Sequence, residues 1–281
     1  MSKQTAMKTN NDSLTPVASI CELELLDLQA EPFPHLIREN FIDPEHYRQL
    51  CGTFPTCPPG TSPTGYSLYW GDEGYQRLLD EQPAWQALFD TFHSQTFIEW
   101  GKRQFGDVWS SAGCKLDLSG ARYVPYREDR IDKERATLRK IEHEPHELWV
   151  RMDIHQGRVG YARRVHLDHA RRLISMLIYM CDHTEARMRG GELCLHEAAG
   201  QRVDQHPSKR IEPRHNLMVA FPCTNGSHHS VPKITATAYP RNYIQVHISS
   251  SVDAWHRETP PRSWRTTLSS FKRRLADSLS K

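Results

Sequence analysis

Two short stretches far apart in the chain constrain it more than any other feature: His166-Leu167-Asp168, and Ser227-His228-His229-Ser230-Val231 well downstream. Two imidazoles and one carboxylate can occupy one face of an octahedral ion and leave the other face open, which is how non-haem iron(II) is held. On an extended chain residues i and i+2 project to the same side. His166 and Asp168 can therefore converge on one ion while Leu167 packs away from it. By the same alternation His228 and His229 face opposite ways, so only one of them can join the pair. That third ligand closes the site only if its strand lies beside the first, which requires a β-sandwich or barrel with an open mouth. Sixteen histidines make an accidental His-x-Asp cheap, so the weight falls on what surrounds it.

The surroundings have strand character. Leu148–Ile154 and Tyr243–Ile248 alternate apolar and polar residues, as half-buried strands do. Ile174–Met180 is nearly continuously apolar and fits a strand buried on both faces. Gly190-Gly191-Glu192-Leu193 is a glycine turn into a further strand, and Asn216–Phe221 is another, followed by a turn over Pro222–Gly226. Upstream, Ile20–Leu26 and Pro32–Ile42 contain extended segments, and Leu116–Leu118 and Ala121–Val124 are strand pieces. Asp43-Pro44-Glu45 starts a helix, with Asp as N-cap and Pro in the first turn. From Pro83 one longer helix is expected, with Trp85, Leu88, Phe89, Phe92, Phe97 and Trp100 forming an apolar stripe that buttresses a sheet. The expected fold class is α+β, with a double-stranded β-helix (jelly-roll) core and helices packed on one face.

The chain of 281 residues suits one large domain with arms. Residues 1–16 are expected to form a disordered tail, 17–258 the domain with its metal-binding core at 148–251, and 259–281 a basic helix available for a homodimer contact. A net charge of +2 argues against bulk nucleic-acid binding. No apolar run is long enough to span a membrane, and the polar start has no signal-peptide core, so a cytoplasmic protein is expected. Seven widely spaced cysteines without a C-x-x-C pair suggest reduced thiols in packing.

In these motifs the chain resembles the iron(II)- and 2-oxoglutarate-dependent oxygenases, in particular their prolyl-4-hydroxylase-like branch. The resemblance covers roughly 148–251, with a weaker echo at Pro32-Phe33-Pro34-His35. It implies that His166, Asp168 and His229 bind iron, His229 rather than His228 because the family's distal histidine stands two before an apolar residue, here Val231. It implies that Arg241 holds the far carboxylate of 2-oxoglutarate and that Tyr179 hydrogen-bonds the same group. Iron(II), 2-oxoglutarate and O2 would then be the cofactor set, with succinate and CO2 released as an aliphatic carbon is hydroxylated. Related halogenases lack the carboxylate ligand, so Asp168 favours hydroxylation.

The arginines around the metal segment, Arg151, Arg163, Arg164, Arg171 and Arg172, are either solvated charge or a device for an anionic substrate. Arg163 and Arg164 are the candidates for contacting it. The expected substrate is a small anionic or polar molecule: an amino acid, a sugar or a secondary metabolite. The alternatives are a peptide or protein side chain, a cupin-like metal enzyme that uses no 2-oxoglutarate, and a non-catalytic interaction module. The very charged stretch Arg127–Glu147 is either a solvated segment or a cover over the site.

Overall fold

The computed structural model describes residues 21, 23–56, 61–129, 142–200 less Gly200, and 202–256. The expected tail at 1–16, the basic helix at 259–281 and most of the charged stretch after Arg127 lie outside the described residues. Among the described residues no helix is long and apolar enough to cross a membrane.

Two antiparallel sheets carry the site. The larger contains β1 (Leu36–Arg38), β2 (Gly65–Leu68), β4 (Glu147–Gly157), β6 (Arg172–Tyr179), β11 (Met218–Pro222) and β13 (Arg241–Ser249), in the order β1-β11-β6-β13-β4-β2. β3 (Arg122–Tyr123) pairs in parallel with β4. The smaller runs β10-β7-β12-β5, from β5 (Arg163–His166), β7 (Leu193–Leu195), β10 (Lys209–Ile211) and β12 (His229–Val231). A two-stranded ribbon joins β8 (Ala198–Ala199) to β9 (Arg202–Val203). The arrangement is a double-stranded β-helix, a jelly-roll core.

The period of two in the large sheet separates packing from chemistry. Val150, Met152 and Ile154 of β4, Ile174, Met176 and Ile178 of β6, and Ile244, Val246 and Ile248 of β13 join one apolar cluster with the helices. The intervening residues face the other sheet. Register sets these in three rows across β4, β13 and β6: His155–Tyr243–Tyr179, then Asp153–Gln245–Leu177, then Arg151–His247–Ser175. Leu177, Tyr179, Val219, Phe221 and Tyr243 meet Leu193 and Leu195 of the small sheet in a second cluster.

The helices cover the outer face. α1 (Pro44–Gly52) begins as the sequence indicates, with the Asp43 carboxylate accepting from the backbone N–H of Glu45 and His46. α2 (Glu73–Glu81) has no counterpart in the sequence reading. The single helix expected from Pro83 is two, α3 (Pro83–Phe92) and α4 (Gln95–Ser111). His93 Nδ1 donates to the Phe89 carbonyl and Ser94 Oγ accepts from the Phe97 N–H. These local bonds end one helix and cap the next. The aromatic stripe buttresses the sheet as expected: Trp85, Leu88, Phe89, Phe92, Phe97 and Trp100 all join the outer cluster.

Leu116–Leu118 forms no strand, nor does the described part of Ile20–Leu26, where the Leu26 backbone bonds the Gln104 side chain instead. The six cysteines among the described residues are free thiols.

Candidate metal and 2-oxo acid site

Between the sheets lies a cavity of about 300 Å3. His166, Asp168 and His229 line it, and one ligand atom from each falls within 4.8 Å of the others. Direct pairing of β12 with β5 sets His229 opposite His166. Asp168 does not reach the cluster by strand alternation. β5 ends at His166 and Asp168 lies in the loop beyond it. Asp168 Oδ1 is 4.0 Å from His166 Nε2 and 3.9 Å from His229 Nε2, so the loop achieves the convergence that a straight strand was expected to give.

Both imidazoles are oriented from behind. His166 Nδ1 lies 2.8 Å from the Arg164 carbonyl and His229 Nδ1 lies 3.0 Å from the Ser227 carbonyl. A carbonyl can only accept, so each Nδ1 carries the proton and each Nε2 presents a lone pair to the cavity. Burial lowers the pKa of His229, which favours the neutral ligating form. Burial alone would raise that of Asp168. The imidazoles of His229, His247 and His166 around it more than offset this and hold it below the usual carboxylate range. The site opens on the His166 side, whose side chain is 39% exposed, against 7% for His229.

Arg241 stands in the wall of the same cavity and is fully buried. Its Nε donates to the Gly191 carbonyl at 2.6 Å and its Nη2 to Tyr179 Oη at 3.1 Å. Its guanidinium lies 4.4 Å from the centroid of the Tyr243 ring. Nη1 is buried without a hydrogen-bond partner. A buried guanidinium left with an unused donor is costly unless a ligand completes it. The glycine turn has a steric reason. Gly190 has φ +79°, and a Cβ there would sit 2.1 Å from the Lys233 carbonyl oxygen. The turn delivers the Gly191 carbonyl to Arg241.

Several residues of the site carried no sequence signal of their own. Tyr161 Oη and Tyr243 Oη are 2.9 Å apart, and Arg241 and Arg163 lower the Tyr161 pKa by more than burial raises it. Tyr179 is pushed up to about 12, chiefly by burial. Tyr243, Gln245 and His247 become legible only once the alternating strand β13 is given a direction, because its polar positions are then the inward ones.

The flanking arginines divide. Arg163 lines the cavity, with its guanidinium 5.7 Å from the Tyr161 ring centroid. A register shift between His229 and Val231 makes this possible: Arg164 and Val165 of β5 together oppose the single Ser230 of β12, so Arg163 and His166 turn the same way. Arg164, expected beside it as a substrate contact, is exposed and is not among the residues lining the cavity. Arg151, Arg171 and Arg172 are buried rather than solvated. Glu128, from the charged stretch read either as a solvated segment or as a cover over the site, is buried too. It accepts from Arg151 at 2.9 Å and from Arg172 at 2.6 and 2.8 Å.

The donor set fits a ferrous ion, being two neutral imidazoles and a carboxylate on one side with open space on the other. The unpartnered Nη1 of Arg241, backed by Tyr179, fits the far carboxylate of a 2-oxo diacid.

Residues 152–249 match the family model described as the 2OG-Fe(II) oxygenase superfamily. No curated protein is matched. Among solved structures, the chain is 18% identical to an oxidoreductase of the 2OG-Fe(II) oxygenase family from Burkholderia pseudomallei, over 40% of this chain and 50% of that one, with a TM-score of 0.29. It thus spans half the length of that protein. It is 13% identical to a Pseudomonas putida prolyl-4-hydroxylase, over 77% of this chain and 92% of that one, with a TM-score of 0.36. It is 10% identical to a Trichoplax adhaerens prolyl hydroxylase in complex with a hypoxia inducible factor peptide fragment, over 77% and 83%, with a TM-score of 0.39.

Proposed function

We propose that this chain, a 2OG-Fe(II) oxygenase-superfamily protein by its segment 152–249, hydroxylates an aliphatic carbon of a small polar or anionic molecule. Iron(II), 2-oxoglutarate and O2 are the cofactor set that goes with the superfamily. When bound, they supply oxidative decarboxylation coupled to substrate oxidation, and the protein's part is to place and shield the reactants.

In this reading His166, Asp168 and His229 hold the metal, with their Nε2 atoms and carboxylate fixed by the backbone carbonyls and imidazoles around them. Arg241 grips the distal carboxylate through its free Nη1, while Gly191 and Tyr179 prevent the guanidinium from turning away. Tyr161 and Tyr243 close the space around it and keep water from the anchored end. Arg163 stands at the opening, where a charged group is available to an incoming substrate.

The observation that carries the reading is the coexistence, in one cavity, of the His-Asp-His cluster and a fully buried arginine with one donor unused. A metal enzyme without a diacid co-substrate has no use for that arginine. A binding module has no use for either.

The test is to incubate the purified protein with iron(II), ascorbate and 2-oxoglutarate and to measure succinate. Turnover is expected in the unmodified chain and loss of at least about 100-fold in Asp168→Ala, because removing a ligand costs no less than the roughly 10–100-fold lost when only a ligand's hydrogen-bond partner is removed. Absence of succinate and of any 2-oxoglutarate binding would sink the reading.

A further inference from the structure

A second arginine of the cavity is also left incomplete. Arg151 is 3% exposed, lies in the row Arg151–His247–Ser175, and lines the cavity. Its Nε donates to both carboxylate oxygens of Asp153, at 2.8 and 2.9 Å, and its Nη1 to Glu128 at 2.9 Å. Its Nη2 is buried with no hydrogen-bond partner. Two of its three nitrogens are thus engaged, with the guanidinium 5.0 Å from the Tyr69 ring centroid, and the third is a donor that cannot relax into water.

The co-substrate cannot satisfy it. Arg151 sits opposite His247 in register, six positions along β13 from Arg241, which is about 20 Å between backbone positions at the rise of a strand. A five-carbon diacid anchored on Arg241 spans only a fraction of that. The two unused donors belong to residues of one cavity whose strand positions lie far apart.

The charges around the cavity come close to balance. Arg151, Arg163, Arg172 and Arg241 line the cavity against Asp153 and Asp168, with Glu128 held behind by Arg151 and Arg172. That is four positive against three negative. A divalent ion and a dianionic co-substrate cancel each other, so one positive charge remains. That charge is the exposed Arg163 at the opening, which water solvates; inside, the selection falls to the unfilled edge of Arg151, whose strongest hydrogen bond is to a carboxylate oxygen.

From these observations we infer that Arg151 is the anchor of the primary substrate, taking a carboxylate oxygen on its free Nη2. The substrate is then a small free carboxylic acid, and Glu128, Asp153 and Arg172 are positioning residues that hold the anchor in place. This rests on the oxygenase reading above, because it assigns the Arg241 end to 2-oxoglutarate.

The experiment is calorimetric titration of the protein under nitrogen, saturated with iron(II) and 2-oxoglutarate. The titrants are a panel of free 2-amino and 2-hydroxy acids, each paired with its primary amide, and a proline-containing peptide with blocked ends. At least one acid is expected to bind, at least about tenfold more tightly than its amide, as for a charge-assisted hydrogen bond. In Arg151→Lys, which keeps the charge facing Glu128 and Asp153 but loses the fork, that acid-over-amide ratio should collapse. Should this variant fail to fold, the charge-compensated pair Arg151→Gln with Glu128→Gln serves the same purpose. The inference is overturned if amides bind as well as acids, if the ratio survives in the variants, or if no acid binds, whether or not the peptide does. Failure of 2-oxoglutarate itself to bind would instead strike the oxygenase reading.

Discussion

A guanidinium sealed from water holds a carboxylate through geometry as much as through charge. Arg241 has its Nε on a backbone carbonyl and one Nη2 bond to a phenol, so its remaining edge has a fixed direction. Lysine would bring the charge without the planar fork. Arg241→Lys is therefore expected to raise the KM for 2-oxoglutarate by about 10- to 100-fold, the loss of one charged hydrogen bond and its alignment. Tyr179→Phe should cost less, about tenfold or under by the same scale. Steady-state succinate formation at varied 2-oxoglutarate measures both, and an unchanged KM in Arg241→Lys would remove the arginine from the anchor. Gly190 tests the same contact through the backbone. Gly190→Ala places a Cβ against the Lys233 carbonyl at a positive φ. It is expected to cost about 1–3 kcal/mol of stability and to weaken 2-oxoglutarate binding together with it. Thermal unfolding and a co-substrate titration should move together. Arg241 and Tyr179 were legible in the sequence only through family likeness. Tyr161 and Tyr243 were not, because a tyrosine on an alternating strand carries no sign of which face is inward.

Strand β4 carries the far end of the cavity, and helix α4 backs the same sheet from its outer face. Glu128 ties β4 to β6 through Arg151 and Arg172 and accepts from the Trp149 indole. Burial would raise its pKa, but Arg172 and Arg151 overcome that and hold it well below the usual carboxylate range. The sign follows: a carboxyl depressed in the folded state contributes stability that is complete above its unfolded pKa and is lost as pH falls toward its folded one. Glu128→Gln should therefore cost about 3–5 kcal/mol at neutral pH, as for breaking a buried ion pair from one side. The gap from the unmodified chain should shrink below about pH 4. Denaturant melts across pH measure it, and a gap that widens in acid would contradict the assignment. On the outer face, a Cβ at Gly101 would meet Ile174 and Ile248 at 2.8 Å each. Gly101→Val is expected to cost about 1–3 kcal/mol through overpacking between α4 and the sheet, read as a lowered Tm. The strands were readable because period two is visible in β4 and β13. The break at His93-Ser94 was not, because the apolar spacing continues through it and only side-chain capping marks the boundary. The role of Glu128 was not legible because its partners lie on strands distant in sequence, and a run of charges shows no burial until they are placed.

The molecule as a whole is one device: a sheet whose outer face packs on helices and whose inner face becomes a row of polar side chains opposite the metal-ligand strands. The jelly-roll architecture followed from short strands punctuated by turns. The convergence of His166, Asp168 and His229 followed from ligand chemistry, although the loop after β5 rather than the strand itself delivers Asp168. What the sequence could not convey was which arginines face inward, since a bulge decides Arg163 and burial among distant acids decides Arg151 and Arg172. If the two halves of the site act together, metal and diacid must bind cooperatively, each tightening the other by the same factor. The most direct measurement is anaerobic calorimetry of 2-oxoglutarate with and without iron(II), in the unmodified chain and in Arg241→Ala. One diacid per chain, bound about tenfold or more tightly with iron present and lost in Arg241→Ala, is the predicted result. Binding that ignores the metal, or that persists without Arg241, would contradict it.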